Sequence, residues 1–129
     1  MRKRRLVVVA PVYNEAEVIA RFYERCRLAL DAIRDRYEGS ILVVVDRSSD
    51  ATLDILLRLA AADPALRVMG LSARFGHQMS LLAGIDAATD ADAIIMMDSD
   101  LQHPPELIPT LLERFEAGYD IVHTVRVAT

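Results

Sequence analysis

The stretch Ala93-Ile-Ile-Met-Met97-Asp98-Ser99-Asp100-Leu-Gln102-His103-Pro-Pro105-Glu106 is where the chain shows its architecture. An apolar run stops abruptly at two carboxylates spaced i, i+2. A continuous apolar run with polar bounds reads as a strand buried on both faces. Asp98 and Asp100 then leave the sheet at its carboxyl edge, where open α/β sheets hold ligands. Two carboxylates this close repel unless they share a cation or a proton. Hard oxygen donors suit Mg²⁺ or Mn²⁺, ions that commonly also bind substrate phosphates. The amide oxygen of Gln102 offers a third donor of the same kind. His103 suits such an ion poorly, because neutral imidazole is a softer ligand. The competing reading of Asp98-Ser-Asp100 is a turn and helix cap ahead of Pro104-Pro105.

Working outward, apolar runs and helical patterns alternate. Leu6–Val12, Ile41–Val45, Leu66–Leu71, Ala93–Met97 and Tyr119–Val125 read as strands. Helical spacing covers Glu15–Tyr37, through Val18, Ile19, Phe22, Cys26, Ala29, Leu30, Ile33 and Tyr37, with Gly39 as its stop. Asn14 is the expected cap there, with Glu15 and Glu17 in the first turn. A second helix is expected over 51–62, capped by Ser49 or Asp50, with Leu53, Leu56, Leu57 and Ala60 inward. A third covers Gly76–Thr89, with Met79, Leu82, Ala83 and Ile85 apolar, and a fourth runs from Pro105 to about Glu116. Strands alternating with helices imply a mostly parallel α/β sheet with right-handed crossovers and helices on both faces.

Composition bounds the rest. A length of 129 residues predicts one domain over 1–129. A hydrophobic content of 53% excludes a disordered chain. A net charge of −4 argues against a nucleic-acid partner. No apolar run approaches the ~20 residues that span a bilayer, and the start lacks a secretory cleavage pattern. The single cysteine, Cys26, cannot form an internal disulfide, which fits a reducing compartment. The expected location is therefore cytoplasmic. The basic start Arg2-Lys3-Arg4-Arg5 reads as a solvated tail or as a contact with the cytoplasmic face of an anionic membrane. A fifth strand at the chain's end would leave an open edge, and self-association through it is expected.

Three other segments follow strand ends and converge on the same rim. In Pro11-Val-Tyr13-Asn14-Glu15, Tyr13 can stack on a base or ribose and Glu15 can accept hydrogen bonds. In Asp46-Arg47-Ser48-Ser49-Asp50, Asp46 can accept the ring N–H of uracil or guanine. In Leu71-Ser72-Ala73-Arg74-Phe75-Gly76-His77-Gln78, Arg74 can neutralise a diphosphate and Gly76 can let backbone approach a ligand. Each also has a plain structural reading as a cap or loop. His77 reads as a surface or pocket-lining residue. No catalytic nucleophile or base is identified.

Together these segments resemble the family 2 glycosyltransferases, which have a Rossmann-like GT-A nucleotide-sugar-binding fold. The polyprenyl-phosphate branch, of the dolichol-phosphate mannosyltransferase and undecaprenyl-phosphate glycosyltransferase type, is the nearest in pattern. The residues that carry the likeness are Val9–Glu15, Val44–Thr52, Phe75–Gln78 and Met97–Ile108, within a similarity running from Leu6 to Arg126. The resemblance implies that Pro11, Tyr13 and Glu15 line a nucleoside pocket and that Asp46 contacts the base. It implies that Arg74, Gly76 and Ser99 belong to the nucleotide-sugar site. Asp98, Asp100 and Gln102 would hold Mg²⁺ or Mn²⁺ on the diphosphate of a UDP- or GDP-sugar. The implied acceptor is a polyprenyl phosphate, whose oxygen attacks the anomeric carbon with inversion as the nucleoside diphosphate leaves.

Two segments depart from the family pattern. Val45 stands where the first of two adjacent acids is usual, and Arg47 where glycine is. The usual Ser-Arg-Asn-Phe-Gly is Ser72-Ala73-Arg74-Phe75-Gly76 here, so the arginine is shifted by one. The family's acceptor-site and catalytic-loop residues would lie beyond Arg126. A non-catalytic or degenerate nucleotide-sugar-binding module is the alternative reading. A receiver-like domain with Asp46 as phosphoacceptor is a third, but such a domain wants an acidic pair where this chain has Pro11-Val12.

Overall fold

The computed structural model describes residues 3–89, 91–99 and 104–118. Its strands are β1 (Arg4–Val12), β2 (Tyr37–Val45), β3 (Leu66–Gly70) and β4 (Ala93–Met96). Its helices are α1 (Ile19–Asp31), α2 (Thr52–Ala62), α3 (His77–Ala87) and α4 (Ile108–Glu116), the last preceded by a 3₁₀ turn at Pro105–Leu107. The sheet order is β3-β2-β1-β4 and every pairing is parallel. The chain moves outward through β2 and β3, then crosses back to place β4 on the far side of β1. That reversal creates a switch point between β1 and β4, at whose carboxyl ends a ligand crevice is expected.

β1 is buried on both faces, as its unbroken apolar run requires. Leu6, Val8, Ala10 and Val12 join Ile19, Phe22, Cys26, Leu56, Ile108 and Leu112 in the larger core. Val7 and Val9 point the other way, with Leu42, Val44 and Ala88. Helices α1, α2 and α4 therefore cover one face and α3 the other.

Several boundaries differ from the sequence expectation. The helix expected over Glu15–Tyr37 is α1, Ile19–Asp31, and its N-cap is Val18 rather than Asn14. Tyr37 opens β2 instead, because its backbone pairs with Arg4 and so extends the β1–β2 ladder by four residues upstream of Ile41. Gly39 is thus a strand residue, not a helix stop. A β-carbon there would lie 2.8 Å from Leu30 Cδ2, so the missing side chain lets α1 lie against β2. Arg4 and Arg5 are not a free tail: they begin β1, and the Arg4 guanidinium sits 5.5 Å from the Phe115 ring centre.

The faces of two helices also differ. In α2 Leu56 is buried but Leu57 is half exposed. In α3 the buried positions are Ser80 and Gly84, while Met79 and Leu82 are 55% and 59% exposed. The helix lies so close to β1 and β2 that only small residues fit beneath it. The expected fifth strand, Tyr119–Val125, lies outside the described residues. So do Asp100, Gln102 and His103.

Candidate nucleotide-sugar site

The four strand ends do form one rim, and the contacts across it come from residues far apart in sequence. Asp46 is the hub. It is the first residue after β2, and its side chain is only 3% exposed. Oδ1 accepts the backbone N–H groups of Arg47 (3.1 Å) and Phe75 (2.9 Å). Oδ2 accepts the backbone N–H of Gly76 (2.9 Å) and the Nε–H of Arg74 (3.3 Å). Burial by itself raises the pKa of this carboxyl. The hydrogen bonds from Phe75, Gly76, Arg47 and Arg74 together outweigh it and hold the group below the usual aspartate range.

These bonds shape the loop between β3 and α3. Gly76 has φ 93°, a conformation that costs L-residues with a β-carbon and leaves glycine unstrained. The backbone turns there so that both the Phe75 and Gly76 N–H groups aim at one carboxylate. Arg74 is then drawn across the rim, its guanidinium carbon 3.6 Å from the centre of the Tyr13 ring. This is a stacked cation–π contact between the β3 and β1 loops.

The β1 and β2 loops are joined by a separate set of bonds. Asn14 sits at φ 50° and faces the second loop. Its backbone N–H donates to Ser48 Oγ (3.0 Å), its side-chain amide donates to Ser49 Oγ (3.3 Å), and its Oδ1 accepts the Ser49 N–H (2.8 Å). The Glu15 N–H donates to the fully buried Thr52 hydroxyl (2.9 Å), which itself donates to Asp50. Asp50 also accepts the N–H groups of Thr52 (3.0 Å) and Ala16 (3.2 Å). Asp50 thus meets the start of α2, although the N-cap itself is Ala51, without a side-chain capping bond, rather than the expected Ser49 or Asp50. Asn14, Ser48 and Thr52 were not expected as site-shaping residues. Asn, Asp, Ser and Thr clustered after two strands were the only sequence signal.

At the switch point Asp98 follows β4 on the rim, half-buried, with Ser99 buried beside it. His77, the first residue of α3, brings Nε2 within 2.7 Å of Asp98 Oδ1. A carboxylate only accepts, so this spacing makes the imidazole nitrogen the donor. Asp98 is the one expected metal ligand among the described residues. A hard oxygen donor on an accessible rim fits Mg²⁺ or Mn²⁺ in kind. Among the described residues no cluster of three or more His, Cys, Asp or Glu side chains has the arrangement of a metal site. Pro11 lies inside β1, buried and in register with Val44.

A parallel Rossmann-like sheet with a polar, cation-bearing rim at its switch point defines a nucleotide-binding α/β class. The family profile described as "Glycosyl transferase family 2" matches residues 7–129, and the chain belongs to that family. It is 42% identical over 118 residues to a prophage bactoprenol glucosyl transferase homolog of Escherichia coli, covering 92% of this chain and 38% of that protein. It is 40% identical over 121 residues to an undecaprenyl-phosphate 4-deoxy-4-formamido-L-arabinose transferase of Edwardsiella ictaluri, covering 92% and 36%. The chain thus spans little more than a third of these relatives' length. Among solved structures it is similar to a Pyrobaculum calidifontis mannosyltransferase in complex with GDP-Man and Mn²⁺. The TM-score is 0.65 and the identity 28%, covering 77% of this chain and 28% of that one. A glucosyl-3-phosphoglycerate synthase of Mycobacterium tuberculosis, in complex with Mn²⁺, UDP and glucosyl-3-phosphoglycerate, gives TM-score 0.60 and 28% identity, covering 87% and 39%. The fold is GT-A, as the sequence pattern implied. No helix among the described residues is long and apolar enough to cross a membrane.

Proposed function

We propose that this chain is the donor-binding part of a glycosyltransferase that moves a sugar from a nucleoside diphosphate to a polyprenyl phosphate with inversion. The observation that carries the reading is the convergence of Tyr13, Asp46, Arg74, Gly76, His77 and Asp98 on one carboxyl-edge rim. Relatives that act on bactoprenol or undecaprenyl phosphate support the acceptor class. Neighbours bound to GDP-Man or UDP with Mn²⁺ support the donor class and the ion.

In this reading Tyr13, Glu15 and the Asp46–Arg74 pair hold the nucleoside, with Gly76 allowing close backbone approach. Asp98, with Asp100 and Gln102, would hold Mg²⁺ or Mn²⁺. That ion, when bound, supplies Lewis-acid stabilisation to the departing diphosphate. A phosphate acceptor is already anionic near neutral pH, so transfer to it needs less help from a general base than transfer to a hydroxyl.

Calorimetric titration of UDP-glucose and GDP-mannose, with and without Mn²⁺, tests the reading against the Asp98→Ala/Asp100→Ala variant. Metal-dependent binding of one donor, lost in the variant, is expected. Binding that ignores Mn²⁺ and the double substitution would remove the metal role. One observation favours a non-catalytic module instead: Val45, buried in β2, stands where the family pattern has an acid. Transfer by the full-length protein to a polyprenyl phosphate would exclude that alternative.

A further inference from the structure

We infer that Arg25 of α1 is a positioning residue for the metal-binding segment: through Glu106 it fixes the far end of the stretch that carries Asp98, Asp100 and Gln102. The inference rests on the donor-binding reading above and deepens it.

The three oxygen donors lie on one short run of chain. Gathering them onto an ion costs backbone freedom, and the cost falls when both ends of the run are already held. The sheet holds the near end. The Met97 N–H, one residue before Asp98, donates to the Val9 carbonyl at 3.0 Å, and Ser99 is buried. The far end is Pro104-Pro105-Glu106. Two proline rings restrict φ there. Pro105 is buried, and the Leu107 N–H donates to the Pro104 carbonyl at 3.0 Å. These features shape the turn itself. Its hydrogen bonds to a different element come from Glu106.

Arg25 Nε donates to Glu106 Oε1 at 2.9 Å, and Nη2 donates to Oε1 at 2.6 Å and to Oε2 at 2.8 Å. The planar fork of the guanidinium thus meets both oxygens of the carboxylate, the geometry of a charge-assisted bidentate pair. The Arg25 hydrogen bonds outweigh the effect of burial and hold the Glu106 carboxyl below the ordinary glutamate range. The core does not depend on this pair. Ile108 and Leu112 already seat α4 there, and Arg36 Nη1 holds Glu116 at the helix's other end, 3.0 Å from each carboxylate oxygen. The Glu106 side chain is 60% exposed, and exposed pairs contribute little to folding. What the pair does control is the course of the chain ahead of Ile108, the stretch that leads back to Gln102 and Asp100.

Titrations of the 129-residue chain with UDP and GDP, in Mn²⁺ and in EDTA, read this role as a metal enhancement. The enhancement is the Kd in EDTA divided by the Kd in saturating Mn²⁺, with NMR used for the weaker metal-free binding. Arg25→Met keeps the stem and removes the fork. Glu106→Gln keeps the shape and removes the charge. Each is expected to lower the enhancement about tenfold, the low end for outer partners of a metal site, and to leave the Kd in EDTA unchanged. Arg25→Lys keeps the charge without the fork and should fall between Arg25→Met and the parent. The Arg25→Met/Glu106→Gln double variant should be no worse than the worse single, because both remove one shared contact. A merely structural pair would lower the melting temperature and move both Kd values together or neither. An unchanged enhancement in the folded variants, or single effects that add in the double, would overturn the inference while leaving the donor reading in place. A parent chain whose binding of both nucleotides ignores Mn²⁺ would overturn the inference together with the metal role it rests on.

Discussion

Gly84 of α3 lies so close to Val9 of β1 that a β-carbon on it would come within 2.4 Å of Val9 Cγ1 and 2.9 Å of Val44 Cγ2. The contact explains how one short helix covers the second face of the sheet, and it sets the position of His77 at that helix's start. Gly84→Ala adds a methyl where neither neighbour is a flexible chain end. Alanine's better helix propensity offsets part of the strain. Overpacking of this kind costs about 1–3 kcal/mol, so Gly84→Ala is expected to lower the midpoint of urea unfolding with little change in slope. An unchanged midpoint would mean that α3 can move away from Val9 freely.

The same closeness shows where sequence reading stopped working. In α3, Met79 and Leu82 are among the apolar residues of the helical pattern, yet Ser80 and Gly84 are the buried positions. Apolar periodicity assumes that the largest hydrophobic residues fill the interface, and that assumption fails when the helix axis sits too near for them. Tyr37 misled for a different reason. It continues the helical spacing of Ile33, but pairing with Arg4 wins it for β2. The parallel α/β class, the four described strands and the rim segments were legible because each strand is a plain apolar run ending in polar residues. The strand order was not, since it depends on which runs pair. Nor was the stacking of Arg74 on Tyr13, which joins residues on different loops through the shared carboxylate of Asp46.

Asp46 predicts a pH signature. Its folded pKa lies below the unfolded value, because the hydrogen bonds from Phe75, Gly76, Arg47 and Arg74 outweigh the opposing effect of burial. A depressed carboxyl pKa contributes stability that is complete above the unfolded value of about 3.9 and is lost as pH falls through the folded value. Asp46→Asn places an amide where N–H donors converge and removes this contribution. The variant is expected to be about 1–3 kcal/mol less stable at pH 7. The gap should narrow on acidification below pH ~4. Thermal melts of both proteins between pH 7 and pH 3 check it, and a gap that widens with acid would contradict the assignment.

Cys26 is fully buried between α1 and the sheet, and its thiol is pushed up to about 12, chiefly by burial and secondarily by the field of Glu106. The thiolate is the reactive species. Ellman's reagent is therefore expected to leave the native protein unmodified over hours at pH 8 and to label one thiol per chain in guanidinium. Rapid labelling without denaturant would show that α1 opens locally.

Thr52 predicts an effect on ligand binding from a residue that need not touch the ligand. Its buried hydroxyl accepts the Glu15 N–H at 2.9 Å and donates to Asp50, which in turn accepts the Ala16 N–H. These bonds fix the chain immediately after Tyr13 to the start of α2. Thr52→Val keeps the shape of the side chain but strands the Glu15 N–H and removes a donor from Asp50. Losing one partner of a buried hydrogen bond costs about 1–3 kcal/mol. Thr52→Ser keeps both bonds and gives up only a methyl group, so it should fall nearer the parent. If Tyr13 must be held for nucleotide binding, Thr52→Val should weaken nucleotide affinity at temperatures where it is still fully folded, and Thr52→Ser should restore most of it. Calorimetry of the three proteins, with folding confirmed by circular dichroism, measures this. Equal affinities in folded Thr52→Val and the parent would show that the Tyr13 loop keeps its binding conformation without the tether to α2.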